Sequence, residues 1–264
     1  MTKHWLILGL VALLGATASF NAMASGGATA PGDPAQTDLG DTASLQCGAR
    51  LFVNYCGGCH SMKLLRTSRI AEDLELTQAQ VEQNLLFTGA KYGAPLEAAM
   101  PVGAATEWFG KAPPDLSMTG KVRGSDWIYN YLRGFYVDPT ARIGWNNTVF
   151  PNASMPNVLW ELQGTQRAVF KPMPAAAHGA AGHCAHGQAQ VDGRCFVKFE
   201  VITDGTLKVD AFDRSVRDIA TFMEYAAEPA ALKRTRIGVW VILFLAFFTF
   251  IAWMLKIEYW RDVH

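Results

Sequence analysis

Charged residues are scarce in this 264-residue sequence, at 17%, and neither sign prevails, since 23 Lys and Arg stand against 23 Asp and Glu. Without an excess of clustered bases there is no footprint for nucleic acid. Between positions 25 and 231 the balance turns negative, 21 acids against 17 bases, which leaves room for a basic protein partner. No βαβ pattern surrounds the closely spaced cysteines, which removes a thioredoxin-like redox motif. No second pair of ligands follows them at a regular spacing, which argues against structural zinc; His183, Cys184 and His186 lie far away in a segment rich in Pro, Ala and Gly. Residues 237–255 hold no ionisable side chain, so this stretch cannot relay protons. With half the residues hydrophobic, extensive disorder is also excluded.

What the chain does hold is Cys56-Gly57-Gly58-Cys59-His60, a CxxCH motif. Two thiols at this spacing reach the two vinyl groups of one porphyrin, and the adjoining imidazole lies beneath the iron, so the motif signals covalent c-type haem. Such attachment belongs to the outer, electropositive side of an energy-transducing membrane. The two ends of the chain agree with that placement. Lys3 and His4 precede an apolar run, and Ala22-Met23-Ala24 supplies a small-x-small cleavage pattern, so residues 1–24 are expected to be a signal peptide; an uncleaved anchor is the alternative. Residues 237–255 form nineteen consecutive uncharged positions, enough to span about 28 Å as a helix. Lys233, Arg234 and Arg236 precede this run while Lys256 and Arg261 follow it, against the simple positive-inside rule. The motif and the signal decide the orientation, with residues 25–231 exported and 232–264 an anchor with a short inner tail.

Between the ends, residues 25–41 read as a flexible leader. From Thr42, apolar positions at helical spacing lead into the CxxCH, with Gly48 and Phe52 on one face. Residues 213–227 carry a matching stripe (Val216, Ile219, Ala220, Phe222, Met223), and the two helices are expected to pack together. Thr77 and Gln80 form a capping box for a short helix closed by Gly89, and Ser125 or Asp126 caps another that runs to Gly134. Ala112-Pro113-Pro114-Asp115-Leu116 must be extended, since each proline restricts the residue before it. Residues 135–156 read as a long irregular loop, and loops of that length are usually functional. Residues 196–201 form a strand, Asp204-Gly205 the turn and residues 207–212 its hairpin partner. Cys184 and Cys195 are expected to form a disulfide, with free thiols or a metal site using His183 and His186 as alternatives; Cys47 is left over.

Histidine leaves one axial position on the iron open. A methionine there gives a six-coordinate electron carrier, whereas an open site suits gas or peroxide chemistry. Met100-Pro101, Met155-Pro156 and Met173-Pro174 are the candidates, and the long loop favours Met155 without deciding the matter. The motifs CGGCHSM (56–62), APPDLS (112–117), NTVFPNASMPNVLWEL (147–162), AEP (227–229) and KIEYWRDVH (256–264) together resemble the cytochrome c1 family, haem subunits of the quinol:cytochrome c oxidoreductase (bc1) complex, in its bacterial form.

The resemblance covers nearly the whole mature chain. It implies a mainly α fold: a cytochrome c-like helical haem domain with a small β-hairpin insertion and one C-terminal transmembrane helix. It implies one haem c on Cys56 and Cys59, His60 and Met155 as axial ligands, Pro114 against the haem, and Arg123 on a propionate. Trp127 takes the place of a residue that also reaches a propionate, although the local spacing differs by two. The implied activity is one-electron transfer from a Rieske iron–sulfur protein to cytochrome c, beside cytochrome b in a bacterial inner membrane, with the haem domain on the periplasmic side. No residue of the chain would act as acid, base or nucleophile. Glu72, Asp73 and Glu75 offer an acidic patch for a basic cytochrome c, or simply a solvated loop. A membrane-anchored cytochrome subunit of a terminal oxidase and a haem-based ligand sensor are the rival readings.

Overall fold

The computed structural model describes residues 32–174, 184–185 and 188–262; the expected signal peptide and the metal alternative at His183 and His186 lie outside them. The molecule is built on two crossing helices, α1 (Thr42–Tyr55) and, far along the chain, α8 (Val209–Ala227). Between them run α2 (Thr67–Asp73), α3 (Gln78–Asn84), α4 (Val102–Phe109), α5 (Thr119–Val122), α6 (Ser125–Arg133) and α7 (Trp160–Gln163). Three small antiparallel sheets join them: β1 (Met62–Arg66) with β2 (Pro95–Leu96), β3 (Phe135–Val137) with β4 (Trp145–Asn147), and β5 (Gly164–Pro172) with β7 (Arg194–Asp204), the last strand also pairing with β6 (Gln190–Val191).

The α1–α8 seam follows from residue size. Position 48 must be glycine, because a Cβ there would lie 2.1 Å from the Asp218 carbonyl oxygen and 2.7 Å from the Phe222 Cβ. This close approach brings Phe52 and Phe222 into contact, ring centroids 5.7 Å apart, and aligns the buried stripe of Val216, Ile219, Ala220, Phe222 and Met223 against Leu45, Ala49 and Phe52. Each large apolar side chain so buried contributes about 1.5–3 kcal/mol. Asp41 caps α1 by accepting from the Ser44 amide, and a Ser44 hydroxyl to Asp218 hydrogen bond of 2.6 Å pins the seam at its edge.

Several expectations are corrected. Residues 32–41 are not a loose leader: Ala35 is fully buried, its amide donates to Asp126 and its carbonyl accepts from Arg217. The Thr77–Gln80 capping box is present, but its helix ends at Asn84 and Gly89 lies beyond it. Helix α6 is preceded by Gly124; Ser125 and Asp126 are its first residues, and the Asp126 carboxylate serves the Ala35 amide. Residues 135–156 contain the β3–β4 hairpin. The hairpin expected from residues 196–212 does not form, because residues 209–212 begin α8 and Gly205 is pressed against the backbone of residues 162–164. The long strand instead pairs with β5, which precedes the insertion. The disulfide expected between Cys184 and Cys195 is present, with Cα atoms 5.5 Å apart.

Helix α9 (Ala231–Trp260) contains the uncharged run. It is long and apolar enough to cross a membrane, and no part of its apolar window is buried. Ion pairs tie its start to the rest: Lys233 to Glu72 at 3.0 Å, and Arg234 to Glu228, which also meets Lys121 at 2.6 Å. Asp73 turns inward, where Arg69 and the Tyr225 hydroxyl donate to it. Of the suggested acidic patch, then, Asp73 is buried structure and Glu72 is paired with the anchor.

Candidate functional site

Helix α1 ends at Tyr55, and the next five residues wind into a tight turn in which the Cys59 and His60 amides both donate to the Cys56 carbonyl, at 3.0 and 2.8 Å. This turn puts Cys56, Cys59 and His60 on the wall of one pocket, open to solvent, of about 580 Å³. The APPDLS segment closes a second side because it is zipped to the strand after His60. The Leu116 amide donates to the Ser61 carbonyl, the Lys63 amide to the Asp115 carboxylate, and the Leu64 amide to the buried Ser117 hydroxyl. Burial alone would raise the Asp115 carboxyl, but its bonds from Ser117 and the Lys63 amide outweigh that and hold it below the usual carboxylate range.

The same zipper sets the Pro114 carbonyl 2.8 Å from His60 Nδ1. A carbonyl only accepts, so Nδ1 carries the proton and the Nε2 lone pair is left for a ligand. Burial lowers the His60 pKa, against smaller upward effects of the Pro114 bond and Asp115; the ring is thereby favoured in the neutral form that binds metal. Burial, with a smaller contribution from Cys59, pushes the Cys56 thiol up to about 12, and Cys59 is raised too. A disulfide-exchanging CxxC has a stabilised thiolate, the opposite condition.

Met155 lines the same pocket, with Ser154, Pro156 and Val158. Its loop is held by asparagines whose side chains stand in for a sheet. Asn146 accepts from the Asn147 and Asn152 amides, Asn147 accepts from Val149 and Phe150 and donates to the Tyr131 carbonyl, and Asn157 accepts from the Leu159 amide. All three asparagines are buried, and, as burial requires of polar side chains, they are hydrogen-bonded. Of the other methionines, the Met100 amide donates to the Gly58 carbonyl, but neither Met100 nor Met173 lines the cavity.

Cys56, Cys59, His60, Pro114 and Met155 are thus brought together; Arg123 and Trp127 are not among the lining residues. Arg123 lies over the Trp127 ring, 4.9 Å from its centroid, and that indole also stacks on Tyr131 at 4.8 Å. The Tyr131 hydroxyl reaches the Met155 sulfur at 3.5 Å. Burial pushes its phenol up to about 12, so it remains a donor. In the sequence Tyr131 is only one position of the helix that ends at Gly134; nothing in its spacing announces a contact with a residue 24 positions away.

The residues present fit a haem c by the chemistry of the donor set: two thiols, an imidazole oriented by the Pro114 carbonyl, a thioether and the apolar Pro113, Pro114 and Val158 all line one pocket. A larger recess of about 1390 Å³ lies between α6, α8 and the β5–β7 sheet, and holds no such set among its described residues.

Residues 98–263 match the model of the Cytochrome C1 family. The chain is 43% identical to cytochrome c1 of Allochromatium vinosum, over 98% of this chain and 99% of that one. It is 38% identical to a protein of Nitrosomonas europaea named ammonia monooxygenase gamma subunit, over 88% of each chain. Cytochrome c1 of Rhodospirillum rubrum is similar at 26% identity, over 84% of this chain and 83% of the relative.

Proposed function

Because this chain belongs to the cytochrome c1 family, the electron-transfer haem subunits of the bc1 complex, we propose that it takes one electron from a Rieske iron–sulfur protein and passes it to a cytochrome c. When bound, haem c supplies a one-electron iron centre. Cys56 and Cys59 would hold the porphyrin by thioether bonds, and His60, through Nε2, and Met155, through its sulfur, would be the iron's ligands. Pro113, Pro114 and Val158, apolar residues of the lining, would help to exclude water from the bound group, and a His/Met ligand pair would raise its potential. Arg123, exposed at the end of α5, would pair with a haem propionate, and Trp127, which contacts both Arg123 and Tyr131, would help to position it.

The single observation that carries this reading is the Pro114–His60 bond, which aims a lone pair into a cavity that also receives both CxxCH thiols and the Met155 loop. In this proposal residues 1–24 are removed on export, residues 25–231 work on the periplasmic side of a bacterial inner membrane, and residues 232–264 anchor them beside cytochrome b. The ion pairs from Lys233 and Arg234 to Glu72 and Glu228 support an anchor that fixes the orientation of the haem domain over the membrane.

The test is Met155→Leu in the membrane complex. The reduced variant should bind CO, which the unmodified protein should not, and quinol-driven reduction of cytochrome c should fall steeply. An unaltered spectrum and potential would transfer the ligand role to Met100 or Met173. Copurification with haem–copper subunits in place of cytochrome b would overturn the assignment to the bc1 complex.

A further inference from the structure

From the contact between α6 and the Met155 loop, we propose that Tyr131 is a positioning residue that tunes the site, its hydroxyl donating to the Met155 sulfur. The proposal rests on Met155 as the axial ligand. The geometry comes from three constraints that act together. The phenol is clamped by its ring, stacked on Trp127 at 4.8 Å and edge-on to Phe135 at 5.0 Å. Its backbone is fixed by the Asn147 side chain, which donates to the Tyr131 carbonyl at 2.8 Å from the very loop that carries Met155. With ring and backbone both held, the hydroxyl has one described partner, Met155 Sδ at 3.5 Å.

A thioether sulfur has two lone pairs, and a hydrogen bond to one leaves the other for iron. The bond has two effects. It selects the rotamer in which the second lone pair faces the cavity, so less motion must be frozen when the ligand bond forms. It also withdraws electron density from the sulfur, which weakens donation to the electron-poor oxidised iron more than to the reduced iron. Hydrogen bonding to a ligand is an established way for a protein to set potential. Removing the hydroxyl while keeping the ring should therefore favour the oxidised state.

Tyr131→Phe in the full-length, haem-loaded protein tests this. The equilibrium constant for reduction should fall about threefold to tenfold, tenfold being about 59 mV for a one-electron couple. The sulfur-to-iron charge-transfer band of the oxidised protein should also shift or weaken. If the variant does not accumulate, fluorotyrosine at position 131 keeps the shape and makes the hydroxyl a stronger donor, and the equilibrium should then move toward reduction. An unchanged midpoint in Tyr131→Phe, or a fluorotyrosine shift in the same direction as that of phenylalanine, overturns the proposal. Failure of the underlying assignment is told apart by Met155→Leu: if that variant keeps the native band, Met155 is not the ligand, whereas its loss beside an indifferent Tyr131→Phe refutes the tyrosine alone.

Discussion

Gly48→Ala is expected to unfold the molecule more easily even though alanine is the better helix former. In a helix interior the change is worth about 0.8–1.0 kcal/mol in favour of alanine. Against this, the new methyl would sit 2.1 Å from the Asp218 carbonyl oxygen and 2.7 Å from its carbon. Both obstacles are backbone atoms in the middle of α8, so no rotamer change relieves them and the helices must part. Overpacking of this kind costs about 1–3 kcal/mol, and here the upper part of that range applies. The net loss is about 1–2 kcal/mol, or a fall in Tm of about 2–8 °C for a domain of this size. Calorimetry on the haem-loaded protein in detergent measures it. Gly103→Ala is the internal control, because a Cβ on that glycine of α4 meets nothing within 4 Å; its Tm should hold or rise. If the two variants shifted Tm alike, the close-approach account of the α1–α8 seam would be wrong.

Tyr225→Phe removes one donor to the buried Asp73 carboxylate and should cost about 1.5–3 kcal/mol by denaturant titration, whereas Arg167→Met, on the exposed pair with Glu200, should cost less than about 1. For Asp138, burial alone would raise the carboxyl, but hydrogen bonds from Thr140, Asn146 and the backbone prevail and hold it below its ordinary value of 3.8. A depressed carboxyl contributes stability above the unfolded value that disappears as pH falls through the folded one, so Asp138→Asn should flatten the stability profile below about pH 4, and an unchanged slope there would refute it. Replacing Cys184 and Cys195 by alanine opens a loop of 11 residues; the chain-entropy account predicts up to about 3 kcal/mol lost, with the haem midpoint unmoved because neither cysteine touches the cavity.

Helix α1, the α8 stripe and the capping box at Thr77 were legible because their signals are local: a period of 3.6, a capping residue and its partner three positions on. The CxxCH was legible because attachment chemistry fixes its spacing. What could not be read was whatever depends on distant pairing. The strand at residues 194–204 looked like the first half of a hairpin since Asp204-Gly205 is a turn signal, yet its partner is upstream, and residues 209–212, equally apolar as strand or helix, joined α8. Residues 32–41 have loop composition, but their backbone groups are claimed by Asp126, Asn130 and Arg217, a use of polar side chains that leaves no periodicity. At the site, the residue types of the donor set carried the reading, while Tyr131 could be recognised only from its position beside Met155.

The account depends most on a haem bound covalently at Cys56 and Cys59. Intact mass spectrometry of the denatured chain, followed by sequencing of its haem-bearing peptide, measures that directly. The account predicts one haem added to the chain and located on the peptide containing residues 56–60, with the mass increment lost when both cysteines are replaced by serine. A denatured chain of unmodified mass, its porphyrin extracted into acidified solvent, would contradict it.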